Sequence, residues 1–283
     1  MLKKYLRPVS RLTLLGLALM SFTQTVRAEI AVKSDEKIAF LGDSITQQGA
    51  GSASGYVRLV MSGLEANNIK AEAIPAGISG HKSNDMLARV DKDVIEKKPN
   101  WMTLSCGVND VWHQERNRGI LIEEYKTNIR AIVDKAQAAG IKVLLLTSTM
   151  IGEDQSGANN QKLIPYNDFL KALAAEKNLP IADLNSMMQE QAKAPHKGNL
   201  ATTDGVHMNP IGNQMMAIGV LKAFGASEAQ LQTAREAWSK IPHNIGASLT
   251  LGQWNKLSEV ANKSNRTIDE VIKAAVEKAI TEG

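Results

Sequence analysis

The sequence has 283 residues, of which 43% are hydrophobic and 22% are charged. This composition is typical of a soluble globular protein, and it excludes a collagen-like, low-complexity or largely disordered chain. The formal net charge is +4 at pH 7, but five cations and no acids precede residue 29, which leaves −1 for the rest. Nucleic-acid binding needs clustered cations, so a near-neutral chain argues against such a partner.

The first 28 residues have the parts of a secretory signal peptide. A basic start is followed by an apolar run at 12–20 and by a small-residue triplet that ends at Ala28. A transmembrane anchor is the alternative, but the run has only about half of the roughly 20 apolar residues that a span needs. We therefore predict cleavage after Ala28 and a secreted or periplasmic protein without a stable membrane anchor.

Cys106 is the only cysteine, so no intramolecular disulfide can form, even in an oxidising compartment. It ends an apolar run, where a small thiol packs well. We expect a core residue rather than a nucleophile.

Short β-rich runs alternate with segments of helical spacing along the chain. The runs are 37–42, 71–74, 101–105, 142–147 and 179–184. The helical segments carry apolar stripes at Ile122, Tyr125, Ile129, Ile132 and Ala136, and at Tyr166, Phe169, Leu170 and Leu173. This alternation predicts an α/β fold with a five-stranded parallel sheet covered on both sides, and functional groups at the carboxyl ends of the strands. The polar stretch 152–161 is expected to be a loop on the rim of the site.

The pattern changes after about residue 224. Thr250 with Gln253, and Thr267 with Glu270, have the spacing of capping boxes that open helices. We predict one domain at 29–224 and a helical C-terminal extension at 225–283. The extension could pack on the core, contact another subunit or form a separate module.

A serine directly follows the first predicted strand, in the segment Gly42-Asp43-Ser44-Ile45-Thr46. Its hydroxyl would lie at a strand end, and the neighbouring glycine lets the backbone turn tightly. This is where a nucleophile would lie, although a Gly-Asp-Ser segment alone is more often a turn or a helix cap.

An acid and a histidine are separated by three positions in Asp204-Gly205-Val206-His207. This spacing can bring the carboxylate to the imidazole, and a histidine held by a carboxylate is the base that a serine nucleophile needs. The alternatives are an incidental surface loop or a pair of metal ligands. No further ligands occur at recognisable spacing, so we predict no metal.

Two further segments follow strand ends, Gly77-Ile78-Ser79-Gly80 and Gly107-Val108-Asn109-Asp110. The backbone N–H of Gly80 and the side-chain amide of Asn109 could point at one oxygen, as an oxyanion hole requires. Each segment alone is more typical of a glycine turn.

The four motifs GDSIT, GISG, GVND and DGVH, in this order, resemble those of the SGNH (GDSL-like) hydrolase family. The resemblance implies a three-layer α/β/α flavodoxin-like fold, with Ser44 as nucleophile, His207 as general base and acid, and Asp204 as the carboxylate that orients the histidine. It also implies an oxyanion hole formed by the N–H groups of Ser44 and Gly80 and the side chain of Asn109. No cofactor is expected.

The resemblance spans about residues 37–221. One departure is Pro75, at a position several residues before the second motif where the family often has an asparagine. That asparagine is not catalytic in the family, so the departure concerns only the shape of the loop.

Trp112 and His113 follow Asn109 closely and could line the substrate pocket, where an indole face suits a sugar ring. Core packing is an equal alternative for Trp112, because a tryptophan buries a large area. Asp43 and Asp110 are expected to accept hydrogen bonds from backbone amides rather than to act as acids.

Exported members that the chain resembles act on several esters. The segment from Gly107 through Tyr125 is similar to sugar-esterase-like members, so we predict hydrolysis of small acyl esters, above all acetyl, on a carbohydrate. The partner would be a small-molecule or polysaccharide ester substrate. The alternatives are a lysophospholipase, thioesterase or arylesterase, an acyltransferase with the same triad, and a non-catalytic carbohydrate-binding homologue.

Overall fold

A computed structural model describes residues 29–193, 198–243 and 249–282. The predicted signal peptide at 1–28 lies outside these residues. The contacts within the chain define two compact units, of which the first ends at Ser239 and the second begins at Lys240.

The first unit contains a parallel sheet of five strands in the order β2-β1-β3-β4-β5. The strands are β1 (Lys37–Gly42), β2 (Glu72–Gly77), β3 (Trp101–Ser105), β4 (Lys142–Leu146) and β5 (Ile181–Ala182). The helices of this unit are α1 (Ser44–Gly51), α2 (Tyr56–Ala66), α3 (Ser83–Asp93), α4 (Val108–Trp112), α5 (Ile122–Ala138), α6 (Ala158–Lys177), α7 (Leu184–Ala192), α8 (Pro210–Ala223) and α9 (Glu228–Trp238).

The core lies on both faces of the sheet. The interior of β1 is fully buried, as are all residues of β3 and residues 143–146 of β4, which is typical of a parallel sheet covered on both sides. On one side of the sheet, α5 packs against both α3 and α6. On the other side, α2 packs against both α8 and α9. The predicted three-layer α/β fold is confirmed.

Strand β2 extends to Gly77 and contains Pro75, although the sequence predicted a strand only at 71–74. The strand lies at the edge of the sheet and pairs only with β1. The N–H groups of Glu72 and Ile78 point toward β1. Because successive residues of a strand alternate in direction, the nitrogen of Pro75 points away from β1. A proline is tolerated there because no hydrogen bond of the sheet is lost.

Two predicted segments differ from the structure. Strand β5 spans only Ile181–Ala182, because the Asp183 side chain then caps helix α7 by accepting from the N–H of Ser186. The polar stretch 152–161 is a loop only as far as Gly157, and helix α6 begins at Ala158.

The first unit extends beyond the predicted boundary at residue 224. Helix α9 packs on α2, and the indole N–H of Trp238 donates to the carbonyl oxygen of Leu59 at 2.9 Å. These buried contacts explain why the helix belongs to the compact unit that carries the sheet.

The second unit contains α10 (Leu251–Lys263) and α11 (Ile268–Glu282). Both predicted capping boxes are present, since Gln253 and Glu270 each accept from the N–H of the threonine three residues earlier. Within the described part of the chain, no helix has the length and apolar character needed to cross a membrane.

Candidate active site

The predicted site residues lie at the carboxyl end of the sheet. Strands β1 and β3 are neighbours, and the strand order reverses between them, which is where open α/β sheets place ligand sites. Ser44 follows β1, Asn109 follows β3, and Gly80 lies in the loop after β2.

Ser44 is the first residue of helix α1, and Asp43 caps this helix by accepting from the N–H of Ile45 at 2.9 Å. Ser44 is 7% exposed, so its hydroxyl lies in a nearly closed position. Gly42 is required by a close approach, because a Cβ there would lie 2.0 Å from Thr46 Oγ1. The strand and the helix can therefore meet at a sharp angle beside the serine.

His207 links Ser44 to Asp204. Its Nε2 lies 2.9 Å from Ser44 Oγ, and its Nδ1 lies 2.7 Å from Asp204 Oδ2. The other carboxylate oxygen of Asp204 accepts from the backbone N–H groups of Val206 and His207, at 3.0 and 2.8 Å. A continuous hydrogen-bonded chain of this kind can remove the proton from a serine hydroxyl.

The carboxyl group of Asp204 is strongly biased toward its charged form. Burial alone would raise its pKa, but the hydrogen bonds from the His207 side chain and from two backbone N–H groups outweigh burial and lower the pKa to about 2. A permanent negative charge beside Nδ1 favours the tautomer with a proton on Nδ1, which leaves Nε2 free to accept from Ser44.

Asn109 and Gly80 lie on adjacent loops. The Asn109 side chain is 4% exposed, and its Nδ2 donates to the carbonyl oxygen of His81 at 3.1 Å and to Asp43 at 3.4 Å. The amide is thereby held between the ends of β1 and β2. The N–H of Gly80 has no acceptor among the described residues, so it is available to a ligand oxygen.

Asp43 and Asp110 accept hydrogen bonds from backbone amides, as the sequence predicted. Asp110 accepts from both the N–H and the hydroxyl of Ser83, at 3.0 and 2.6 Å. Burial and the nearby Asp110 raise the pKa of Asp43 to about 7, against the opposing hydrogen bond from Ile45 and the attraction of His207. Ionisation of the buried Asp43 carboxyl group, next to Ser44, therefore costs free energy.

Trp112 and His113 are half-buried, with ring centroids 6.1 Å apart. They lie three and four residues after Asn109, which is the spacing of neighbours on one side of a helical turn. Burial and the nearby cation of Lys82 lower the pKa of His113. Their predicted contact with substrate stays a prediction.

Arg89 was not predicted from the sequence. Its guanidinium donates to the carbonyl oxygens of Gly42 and Ala76, at 2.8 and 2.9 Å, and to His81 Nδ1 at 3.0 Å. It therefore joins the ends of β1 and β2 to the loop that carries Gly80. It also pairs with Asp93 at 2.9 Å on its own helix. The two acceptors at the strand ends are backbone oxygens, so no motif marks this role.

Cys106 is buried, as predicted, and burial raises its pKa well above the usual value for a thiol. A protonated, enclosed thiol is a poor nucleophile. Within the described ranges, no three His, Cys, Asp or Glu side chains are grouped in a way that could hold a metal ion.

Residues 40–215 match the model of the GDSL-like lipase/acylhydrolase family. This span is more than half of the chain. The protein belongs to the GDSL-like lipase/acylhydrolase family. The match covers all four motifs, and it makes this protein a carboxylic ester hydrolase.

Several esterases are similar to this GDSL-like hydrolase over most of their length. An acetylxylan esterase from Geobacillus stearothermophilus is 29% identical over 211 residues, which cover 69% of this chain and 96% of that protein. The crystal structure of the acetyl xylan esterase AlAXEase is 33% identical with a TM-score of 0.62, and covers 66% of this chain and 98% of that one. The structure of Axe2, an acetylxylan esterase from Geobacillus stearothermophilus, is 28% identical with a TM-score of 0.64. The match covers 70% of this chain and 97% of that one. Axe2 structures include catalytic mutants in which alanine replaces a serine, an aspartate or a histidine.

Proposed function

We propose that this hydrolase removes acetyl groups from a carbohydrate, with Ser44 as nucleophile, His207 as general base and acid, and Asp204 as the orienting carboxylate. The observation that carries the proposal is the hydrogen-bonded chain from Ser44 Oγ through His207 to Asp204, with lengths of 2.9 and 2.7 Å. The acetylxylan esterase relatives support the substrate class, and the catalytic mutants of Axe2 support the choice of residue types.

In the first step Ser44 Oγ bonds to the carbonyl carbon of the acetyl ester, and its proton moves to His207 Nε2. The carbonyl electron pair moves onto the oxygen and gives a tetrahedral oxyanion. Asp204, charged because of its low pKa, stabilises the imidazolium that forms.

The oxyanion is stabilised by the N–H groups of Ser44 and Gly80 and by the side-chain amide of Asn109, which exchanges its longer contact with Asp43, at 3.4 Å, for the oxyanion. When it collapses, the bond from carbon to the sugar oxygen breaks, and the sugar oxygen takes the proton from His207. The acetyl group stays on Ser44. A water molecule then loses a proton to His207 and attacks this ester. When the second tetrahedral intermediate collapses, the bond from carbon to Ser44 Oγ breaks, Oγ takes the proton back from His207 Nε2, and acetate is released.

The surroundings of the site support a polar substrate. Trp112 and His113 offer half-buried rings one helical turn beyond Asn109, and a flat indole face suits a pyranose ring. After β4, the N–H of Gly152 donates to the carbonyl oxygen of Gly205, so Gly152 borders the loop of Asp204.

The test is a comparison of acetate release from acetylated xylan and acetylated pectin fragments with fatty-acid release from lysophospholipid. Ser44→Ala protein serves as the blank. We expect acetate from at least one acetylated polysaccharide and no release by the variant. Preferential turnover of lysophospholipid would contradict the proposal. An acetylated acceptor oligosaccharide in place of free acetate would assign acyl transfer instead of hydrolysis.

We further propose that the protein is exported and cleaved after Ala28. The proposal rests on the basic and apolar pattern of residues 1–28, which lie outside the described residues. Mass spectrometry of the N-terminal peptide from periplasmic and culture fractions tests it. A mature chain that starts at Glu29 supports export, and an intact N-terminus in the cytoplasmic fraction contradicts it.

A further inference from the structure

We propose that Glu153 is a positioning residue for the Asp204–His207 loop, and that it acts by holding Leu200, Ala201 and Thr202, which lie just before this loop. The inference rests on the proposed function, because it assigns Glu153 a part in the placement of the base. Glu153 was part of a stretch that the sequence predicted only as a polar rim.

The Glu153 carboxylate accepts a converging set of hydrogen bonds. Backbone N–H groups of Leu200, Ala201 and Thr202 donate to it at 2.6, 2.9 and 2.8 Å, and the Thr202 hydroxyl donates at 2.7 Å. Burial opposes the charge, but the bonds from the Thr202 hydroxyl and from these N–H groups lower the pKa of Glu153. The segment is therefore held by a charged acceptor, and such bonds are about twice as strong as neutral ones.

Thr202 connects Glu153 to the Asp204–His207 loop through hydrogen bonds. While its hydroxyl donates to Glu153, its Oγ1 accepts from the N–H of Gly205 at 3.1 Å. Gly205 has a φ of +92° and lies between Asp204 and Val206, so its orientation sets the direction of the turn. Its carbonyl oxygen accepts from the N–H of Gly152 at 2.7 Å, which ties the turn a second time to the β4 loop.

Asp204 and His207 both lie in this tied segment. The segment is closed on its other side by Thr203, whose N–H donates to the carbonyl oxygen of His207 at 2.8 Å. His207 must keep its Nε2 at 2.9 Å from Ser44 Oγ, on a different element of the fold. A misplacement of about 1 Å can cost about a hundredfold in rate, so the restraint is relevant to turnover.

The chemistry of the restraint requires a carboxylate. An amide at residue 153 presents one acceptor oxygen and an NH₂ group, and the NH₂ group would face N–H groups that can only donate. Glu153→Gln therefore keeps the size of the side chain but breaks part of the set. Asp154→Asn is a matched control, because Asp154 lies in the same loop, is exposed, and its carboxylate accepts from the N–H and hydroxyl of Ser156 within that loop.

The experiment measures kcat and KM for p-nitrophenyl acetate, the rate at which a fluorophosphonate labels Ser44, and thermal unfolding. For folded Glu153→Gln we expect kcat and the labelling rate to fall by about 10- to 100-fold, with KM within about twofold, because a displaced base affects the transition state rather than substrate binding. Asp154→Asn should match the wild type in all three.

Thr202 provides a second pair of variants if Glu153→Gln does not fold. Thr202→Val removes the hydroxyl and should lower kcat, and Thr202→Ser restores the hydroxyl and should recover most of the loss. The inference would be overturned if folded Glu153→Gln had the same kcat as Asp154→Asn, or if the two Thr202 variants had equal kcat values. Either result would leave the proposed function intact. Wild-type activity in Ser44→Ala would instead reject the proposed function.

Discussion

His207 Nε2 lies 2.9 Å from Ser44 Oγ, although the two residues are 163 positions apart in the chain. The contact exists because Ser44 begins the helix after β1, at the carboxyl end of the sheet, and the loop before α8 places His207 beside that helix start.

Ser44→Ala is expected to abolish ester hydrolysis and to leave the fold intact. The hydroxyl is small, and its hydrogen bond is to His207. Steady-state kinetics should show a collapse of kcat, while thermal unfolding stays close to that of the wild type. Near-normal turnover by the purified, folded variant would remove the serine mechanism.

Asn109→Ala is expected to lower kcat by about a hundred- to a thousand-fold with little change in KM, as is typical when one oxyanion donor is removed. The amide is held by His81 and Asp43, so the loss also frees those acceptors. Kinetics on p-nitrophenyl acetate measure both constants. A change in KM alone would make Asn109 a substrate contact.

Arg89→Ala is expected to lower the free energy of unfolding by on the order of 3 kcal/mol, because charge-assisted bonds to two backbone carbonyls and the ion pair with Asp93 are lost. It should also lower kcat, since those carbonyls end β1 and β2. Arg58→Ala is the control, because Arg58 donates to one carbonyl oxygen, that of Ala50, in an exposed position. Chemical denaturation compares the two, and equal losses would contradict the role of Arg89.

Asp43→Asn is expected to become more stable relative to the wild type as the pH rises. The pKa of Asp43 is raised by burial from 3.8 to about 7, so the folded wild type binds a proton that the unfolded chain has released. Between about pH 4 and pH 7 the wild type must therefore lose stability as the pH rises, and the loss is complete above pH 7. Unfolding of both proteins across this range gives the difference, and a constant difference would contradict the burial effect.

The sequence predicted the residues that the hydrogen-bonded chain joins, but not the residues that bond around them. Ser44, Asp204 and His207 could be found because each stands in a short motif after or between elements, with side-chain types that carry the chemistry. Glu153 bonds mainly to backbone N–H groups of distant residues, and Arg89 reaches the two strand ends through backbone oxygens. Backbone partners leave no pattern in the sequence.

Boundaries of the elements were harder to predict for similar reasons. Pro75 is compatible with β2 only because that strand is at the edge, and strand order is not visible in the sequence. The position of α9 depends on the bond from Trp238 to Leu59, which joins residues 179 positions apart.

The most direct test of a small-acyl carbohydrate esterase is kcat/KM for p-nitrophenyl esters of increasing chain length, measured beside acetate release from acetylated xylan. A site for acetyl groups has no apolar lining for a chain, whereas such a lining would add about 0.8 kcal/mol for each buried methylene. We predict that acetate is the best ester, that activity falls steadily by butyrate and beyond, and that Ser44→Ala is inactive on all of them. A kcat/KM that climbs from acetate to octanoate would contradict the acetylesterase account and favour a lysophospholipase.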